Sequence, residues 1–74
     1  MAFDYSELTG LIVAKYGSRK GYAKAAGMSP SSLSDKLRGK TPWNTEEIAT
    51  AQNLCGFPPE AIVRYFFTPK VHNL

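Results

Sequence analysis

Residues 18–40, SRKGYAKAAGMSPSSLSDKLRGK, carry the pattern that decides the fold. They predict two short helices joined by a tight turn. Ser18 is placed to cap a helix over Arg19–Ala26, because its hydroxyl can accept from an unpaired first-turn N–H. Gly27 supplies the left-handed residue that ends this helix without a Cβ penalty. Ser29 is placed to cap a second helix over residues 30–38, and Pro30 at its first position has a fixed φ and no N–H in need of a partner. Gly39 closes the unit after Arg38. This spacing is the helix-turn-helix layout over 18–39, whose second helix can enter the DNA major groove.

Side-chain pattern supports the unit. Ala23 sits midway along the first helix, where a small residue lets the second cross closely. Tyr22 and Ala26 lie four apart on one face, Leu33 and Leu37 repeat that spacing on the other helix, and Met28 can plug the angle between them. An αα-hairpin of a small helical bundle with no ligand has the same pattern, so charge must separate the two readings.

Net charge is only +3, but it is unevenly spread. From Lys15 to Lys40 there are seven basic residues (Lys15, Arg19, Lys20, Lys24, Lys36, Arg38 and Lys40) against the single acid Asp35. The rest of the chain is slightly acidic, with Arg64 and Lys70 against Asp4, Glu7, Glu46, Glu47 and Glu60. A basic half on such a domain is the footprint expected for a polyanion partner.

Length and composition set the remaining bounds. Seventy-four residues suit one domain, 1–74, that folds without staples if its core is well filled. No apolar run approaches the ~20 residues that span a bilayer, and Asp4 and Glu7 break any signal-peptide pattern. A membrane partner is therefore not expected. Cys55 is the only cysteine, so neither an internal disulfide nor a cysteine-based zinc site can form, and a cytoplasmic, reducing setting fits. No Ser–His–acid set, metal-ligand cluster or Gly-rich phosphate cradle is present, so no enzyme, metal or cofactor is expected.

Five helices account for most of the chain, an all-α architecture. The first is predicted from about Asp4 to Tyr16, with Asp4 as cap, Glu7 completing a capping-box variant, and Leu8, Leu11, Ile12 and Tyr16 facing the core. Asn44 and Glu47 form a capping box for a fourth helix with the apolar stripe Ile48, Ala51, Leu54 and Cys55, stopped by Gly56. A short fifth helix follows from Glu60 to about Phe66, and residues 67–74 (FTPKVHNL) are predicted to be an extended tail. Tyr65, Phe66 and Phe67 are consecutive aromatics, and at most two can point into one small core. The surplus, with Val71 and Leu74, is a candidate dimer or partner interface, unless Phe67 and Val71 fold back over the fourth and fifth helices.

The pattern Tyr22-Ala23, Gly27, Ser29, Leu33-Ser34, Gly39-Lys40, followed by a helix ending Asn53-Leu54-Cys55-Gly56-Phe57, resembles the phage Cro and CI repressor class of helix-turn-helix proteins. The closing segment Ala61–His72 (AIVRYFFTPKVH) is similar to small Cro-analogue regulators of phages and prophages of Gram-positive bacteria. The resemblance spans essentially the whole chain. It implies a compact five-helix, lambda-repressor-like domain in the bacterial cytoplasm that binds double-stranded operator DNA, usually as a symmetric dimer. Lys36 departs from the class, where its position is usually apolar.

Carried over by position, Pro30, Ser31, Ser32, Ser34 and Asp35 would face the groove, and Lys36 and Arg38 would read bases if their stems reach it. Ser18, Arg19, Lys20 and Ser29, with Lys40 and Thr41 in the next loop, would hold phosphates. Plainer roles stand beside these: an ion pair for Asp35 with a neighbouring Lys or Arg, a core position for Cys55, a lid on the core edge for Trp43, and a solvated His72. Two functions follow. One is a Cro-like repressor reading its operator through 30–38. The other is an antirepressor of the same shape that binds a phage repressor protein and blocks its DNA binding. The short side chains of Ser31, Ser32 and Ser34 suit a protein partner, whereas the basic segment favours DNA, so operator binding is the expected function and the antirepressor the alternative.

Overall fold

Capping chemistry sets the helix ends in the computed structural model, which describes residues 3–70. The expectations for Val71, His72 and Leu74 lie outside that range. The chain is all-α: α1 (Ser6–Tyr16), α2 (Arg19–Ala26), α3 (Pro30–Leu37), α4 (Thr45–Cys55) and α5 (Ile62–Phe66), with a 3-10 turn at Pro59–Ala61. Ser18 Oγ accepts from Gly21 N–H at 3.0 Å and Ser29 Oγ from Ser32 N–H at 3.1 Å, as the sequence predicts. Asn44 and Glu47 close the capping box reciprocally at 2.8 and 2.9 Å. Gly17, Gly27 and Gly56 end α1, α2 and α4 in left-handed conformations.

Three boundaries differ from expectation. α1 starts at Ser6, because residues 3 and 4 are held against the end of the chain. Asp4 N–H donates to Thr68 C=O at 2.8 Å, beside the isolated bridge between Phe3 and Pro69. Asp4 still serves the helix, since its carboxylate accepts from Ser6 N–H and Oγ–H, but Glu7 turns away to Arg64. α3 stops at Leu37, with Arg38 as its cap residue. The last helix splits at Ala61: a 3-10 turn over Pro59–Ala61 precedes the α-helix that starts at Ile62.

The core is one cluster drawn from every helix: Leu8 and Ile12, Tyr22 and Ala23, Leu33, Ala51 and Cys55, and Phe66, joined by Tyr5 and Phe57. Ala23 is fully buried where α2 and α3 cross, and Met28 N–H donates to its carbonyl at 2.9 Å. Burial pushes the Cys55 thiol above its ordinary value, as befits a core residue rather than a reactive one. Trp43 does cover the core edge, edge-on to Phe66 at 5.1 Å and tilted to Tyr5 at 6.2 Å. Its buried Nε1–H has no acceptor among the described residues.

The turn between α1 and α2 depends on one missing side chain. A Cβ on Gly21 would stand 2.7 Å from the Tyr16 carbonyl oxygen, part of the α1 backbone. Gly21→Ala must force the two helices apart and is expected to cost about 1–3 kcal/mol. Gly10→Ala is the control: nothing lies within 4 Å of its new Cβ, and it should stabilise by about 0.5–1 kcal/mol through helix propensity. Urea unfolding of the two variants measures both shifts.

Candidate functional site

The outward face of the helix pair was the expected DNA reader, and its cations are distributed differently than the sequence suggests. Lys36 does not reach outward. Its side chain is only 11% exposed and bends toward α4, where Nζ lies 2.9 Å from Glu47 Oε1 and donates to the Pro42 carbonyl at 2.9 Å. This corrects the base-reading role given to Lys36. The ammonium is satisfied by Glu47 in the first turn of α4 and by the Pro42 carbonyl in the loop before it. Arg38 donates through Nη2 to Asp35 Oδ1 at 2.7 Å, the intramotif ion pair that was the plainer reading of Asp35.

Glu47 therefore serves α4 and α3 together. Its partial burial works to raise the carboxyl pKa, but the Asn44 N–H and the Lys36 ammonium outweigh that and hold it below its ordinary value. A lowered folded value gives stability that is complete above the unfolded pKa of about 4.5 and is lost as pH falls through the folded value. The chain is thus expected to lose stability in that acidic window. Glu47→Gln should flatten the loss, leaving the share of Asp4, which the Ser6 hydroxyl and N–H also hold low. Denaturant midpoints at pH 6 and below pH 4 for both proteins check the sign.

What remains outward on α3 is short and neutral. Pro30 and Ser31 are exposed, and Ser32 and Ser34 are half-buried. The phosphate candidates Ser18, Arg19, Lys20, Ser29, Lys40 and Thr41 are all exposed. Ser18 and Ser29 already accept backbone N–H groups through their hydroxyl oxygens. Arg38 at the end of α3 stays 63% exposed beside Asp35, and the other exposed cations of the segment stand on α2 and its flanks.

The aromatic run at the chain's end sorts by depth. Phe66 is 1% exposed and belongs to the core, which corrects its placement at an interface. Tyr65 is half-buried and packs on Phe57 at 4.8 Å between ring centres. Phe67 is 45% exposed and stacks edge-on to Phe3 at 5.6 Å. Phe3 and Phe67 open onto a cleft of about 300 Å³, shared with Tyr5, Trp43 and the backbone of residues 39–42. The sequence reading missed Phe3 and Tyr5 as members of this cleft. Nothing local marks them, because tertiary pairings, Asp4 with Thr68 and Phe3 with Pro69, bring residues 3–5 beside residues 67–69.

The model of a family described as "Protein of unknown function (DUF739)" matches residues 1–69. The chain belongs to this family. It is also similar to a solved structure, the modulator of repression (MOR) of the temperate bacteriophage TP901-1 from Lactococcus lactis. The two are 40% identical, the match covers 97% of each chain, and the TM-score is 0.80. No curated protein matches significantly. The match to a phage modulator of repression agrees with the phage character of the sequence resemblance, and the two chains share one fold. Among the described residues no helix is long and apolar enough to cross a membrane.

Proposed function

We propose that this protein is a modulator of phage repression that acts by binding a phage repressor protein and keeping it from its operator. The similarity to MOR over 97% of both chains carries this reading. The geometry of α3 supports it. The strongest base contacts come from long bidentate donors, and Lys36, the long cation within α3, is turned inward to Glu47, while Arg38 at its end pairs with Asp35 at the surface. The exposed start of α3 then offers small neutral side chains, Pro30 and Ser31, to a partner.

The cleft of Phe3, Tyr5, Trp43 and Phe67 supplies what a protein partner requires and a duplex does not use. Large aromatic rings beside accessible loop backbone form the kind of pocket in which a partner's apolar side chain becomes an anchor. In this reading the repressor inserts an apolar residue between Phe67 and the 39–42 loop, and the rim of the cleft excludes water around it.

Isothermal titration of the purified protein with the repressor of the same phage or prophage tests the proposal. The expected result is saturable binding with a negative heat-capacity change, the mark of buried apolar surface. Absence of binding, together with selective binding of the protein alone to promoter DNA as a dimer, would establish the operator-reading alternative.

A further inference from the structure

A cavity of about 130 Å³ lies where α2 and the turn after it meet the first half of α4. Tyr22, Met28, Trp43, Glu47 and Thr50 line it, and Trp43 is also a wall of the aromatic cleft. The cavity reaches the surface at Gly27, which is exposed. Its polar groups are poorly provided for by the chain itself. Tyr22 is 1% exposed, yet among the described residues its hydroxyl makes no hydrogen bond, and neither does that of Thr50. Glu47 receives both Asn44 N–H and the Lys36 ammonium on Oε1, which leaves Oε2 without a partner among the described residues. The Trp43 Nε1–H is buried with no acceptor among them. Burial pushes the Tyr22 phenol up to about 12, with Cys55, Tyr16 and Glu47 adding to the effect, so it stays protonated and able to donate. Polar groups in buried positions are nearly always paired. Four unpaired ones on the residues around one cavity call for a complement.

We propose that this cavity receives the side-chain amide of an asparagine or glutamine of the repressor. The inference rests on the proposed repressor binding and names the chemistry of one contact in it. A group that fills the space must both give and take hydrogen bonds, because the Glu47 carboxylate only accepts whereas the Tyr22 hydroxyl can donate. An amide carries a carbonyl oxygen and two N–H donors in one small plane. A carboxylate is excluded, since it would meet the like charge of Glu47. An ammonium or guanidinium would set a second cation on the carboxylate that Lys36 already neutralises at 2.9 Å. The volume also suits an amide: an apolar cavity of about 150 Å³ holds benzene, a ring larger than a planar amide. Met28 and the Trp43 ring supply apolar surface against which the methylene stem can pack.

Titration calorimetry of the repressor against wild type, Tyr22→Phe and Thr50→Val tests this. Each substitution keeps the side-chain shape and removes a hydroxyl that has no partner among the described residues, so thermal melts followed by circular dichroism should be unchanged. Tyr22→Phe is expected to weaken repressor binding about tenfold, because the bound amide loses its donor inside a closed site. Thr50→Val, at a half-buried position on α4, is the second variant and should weaken binding about threefold or more. Replacing the repressor's Asn and Gln residues one at a time by Leu should then find one position at which the Tyr22→Phe loss disappears, the mark of direct coupling. Where wild type binds, equal affinity for both hydroxyl variants overturns the amide site and leaves the repressor reading intact. Coupling found at a charged repressor residue instead, or at no residue, overturns the amide as occupant. No binding by wild type overturns the repressor reading and this inference with it.

Discussion

Replacing Phe66 by alanine is expected to remove about 3–5 kcal/mol of stability, a large part of what a small domain possesses. Phe66 is 1% exposed and meets Trp43 and Phe57 with its ring, so truncation opens a cavity where α5, the 43–44 loop and the segment after α4 converge. Trp43 then loses the ring that holds it over the core edge. Chemical denaturation with tryptophan fluorescence reads the effect directly, because the only tryptophan of the chain packs on the deleted ring. A loss below about 1 kcal/mol would mean that Phe66 is not a core residue.

The next residue is expected to behave in the opposite way. Phe67→Ser changes a side chain that is 45% exposed and rests only edge-on against Phe3, so the fold should survive with a loss within about 1 kcal/mol. Affinity for the repressor should nevertheless fall by about 30-fold or more, the weight of an aromatic anchor at the centre of a protein interface. Titration calorimetry on the variant, with circular dichroism to confirm helix content, separates the two properties. Equal affinity for wild type and Phe67→Ser would remove the aromatic cleft from the binding face. The contrast between adjacent phenylalanines tests how core and interface are divided at the end of α5.

That division shows how far the sequence speaks and where it stops. Helix ends were legible because their chemistry is local: Ser18, Ser29 and Asn44 cap within three residues, and Gly17, Gly27 and Gly56 terminate by backbone conformation alone. The core stripe of α4 was legible from period, and Ala51 and Cys55 are its deepest members. The fate of Lys36 was not, because it depends on α3 lying against the first turn of α4, a tertiary fact. One signal existed: a lysine at a position that the resemblance implies is apolar, followed eleven residues later by a capping glutamate. The start of α1 was misplaced for a similar reason, since the pairing of Asp4 with Thr68 outweighs the local capping pattern. Tyr65, Phe66 and Phe67 gave a count of surplus aromatics, but only the direction of α5 decides which ring goes inside. The count of seven cations on Lys15–Lys40 was correct, yet Lys36 turns inward to Glu47 and Arg38 pairs with Asp35 at the surface, so the unpaired charge is that of α2 and its flanks.

The central claim is that this chain acts on a repressor rather than on an operator. Its most direct test is to form the complex of the phage's repressor with its fluorescent operator duplex at physiological salt, then titrate in this protein while following anisotropy. Release of the operator at a fixed ratio of modulator to repressor, weakened by Phe67→Ser, is the predicted result. An operator that stays bound to the repressor, or that leaves it only to be bound selectively by this protein alone, would contradict the account.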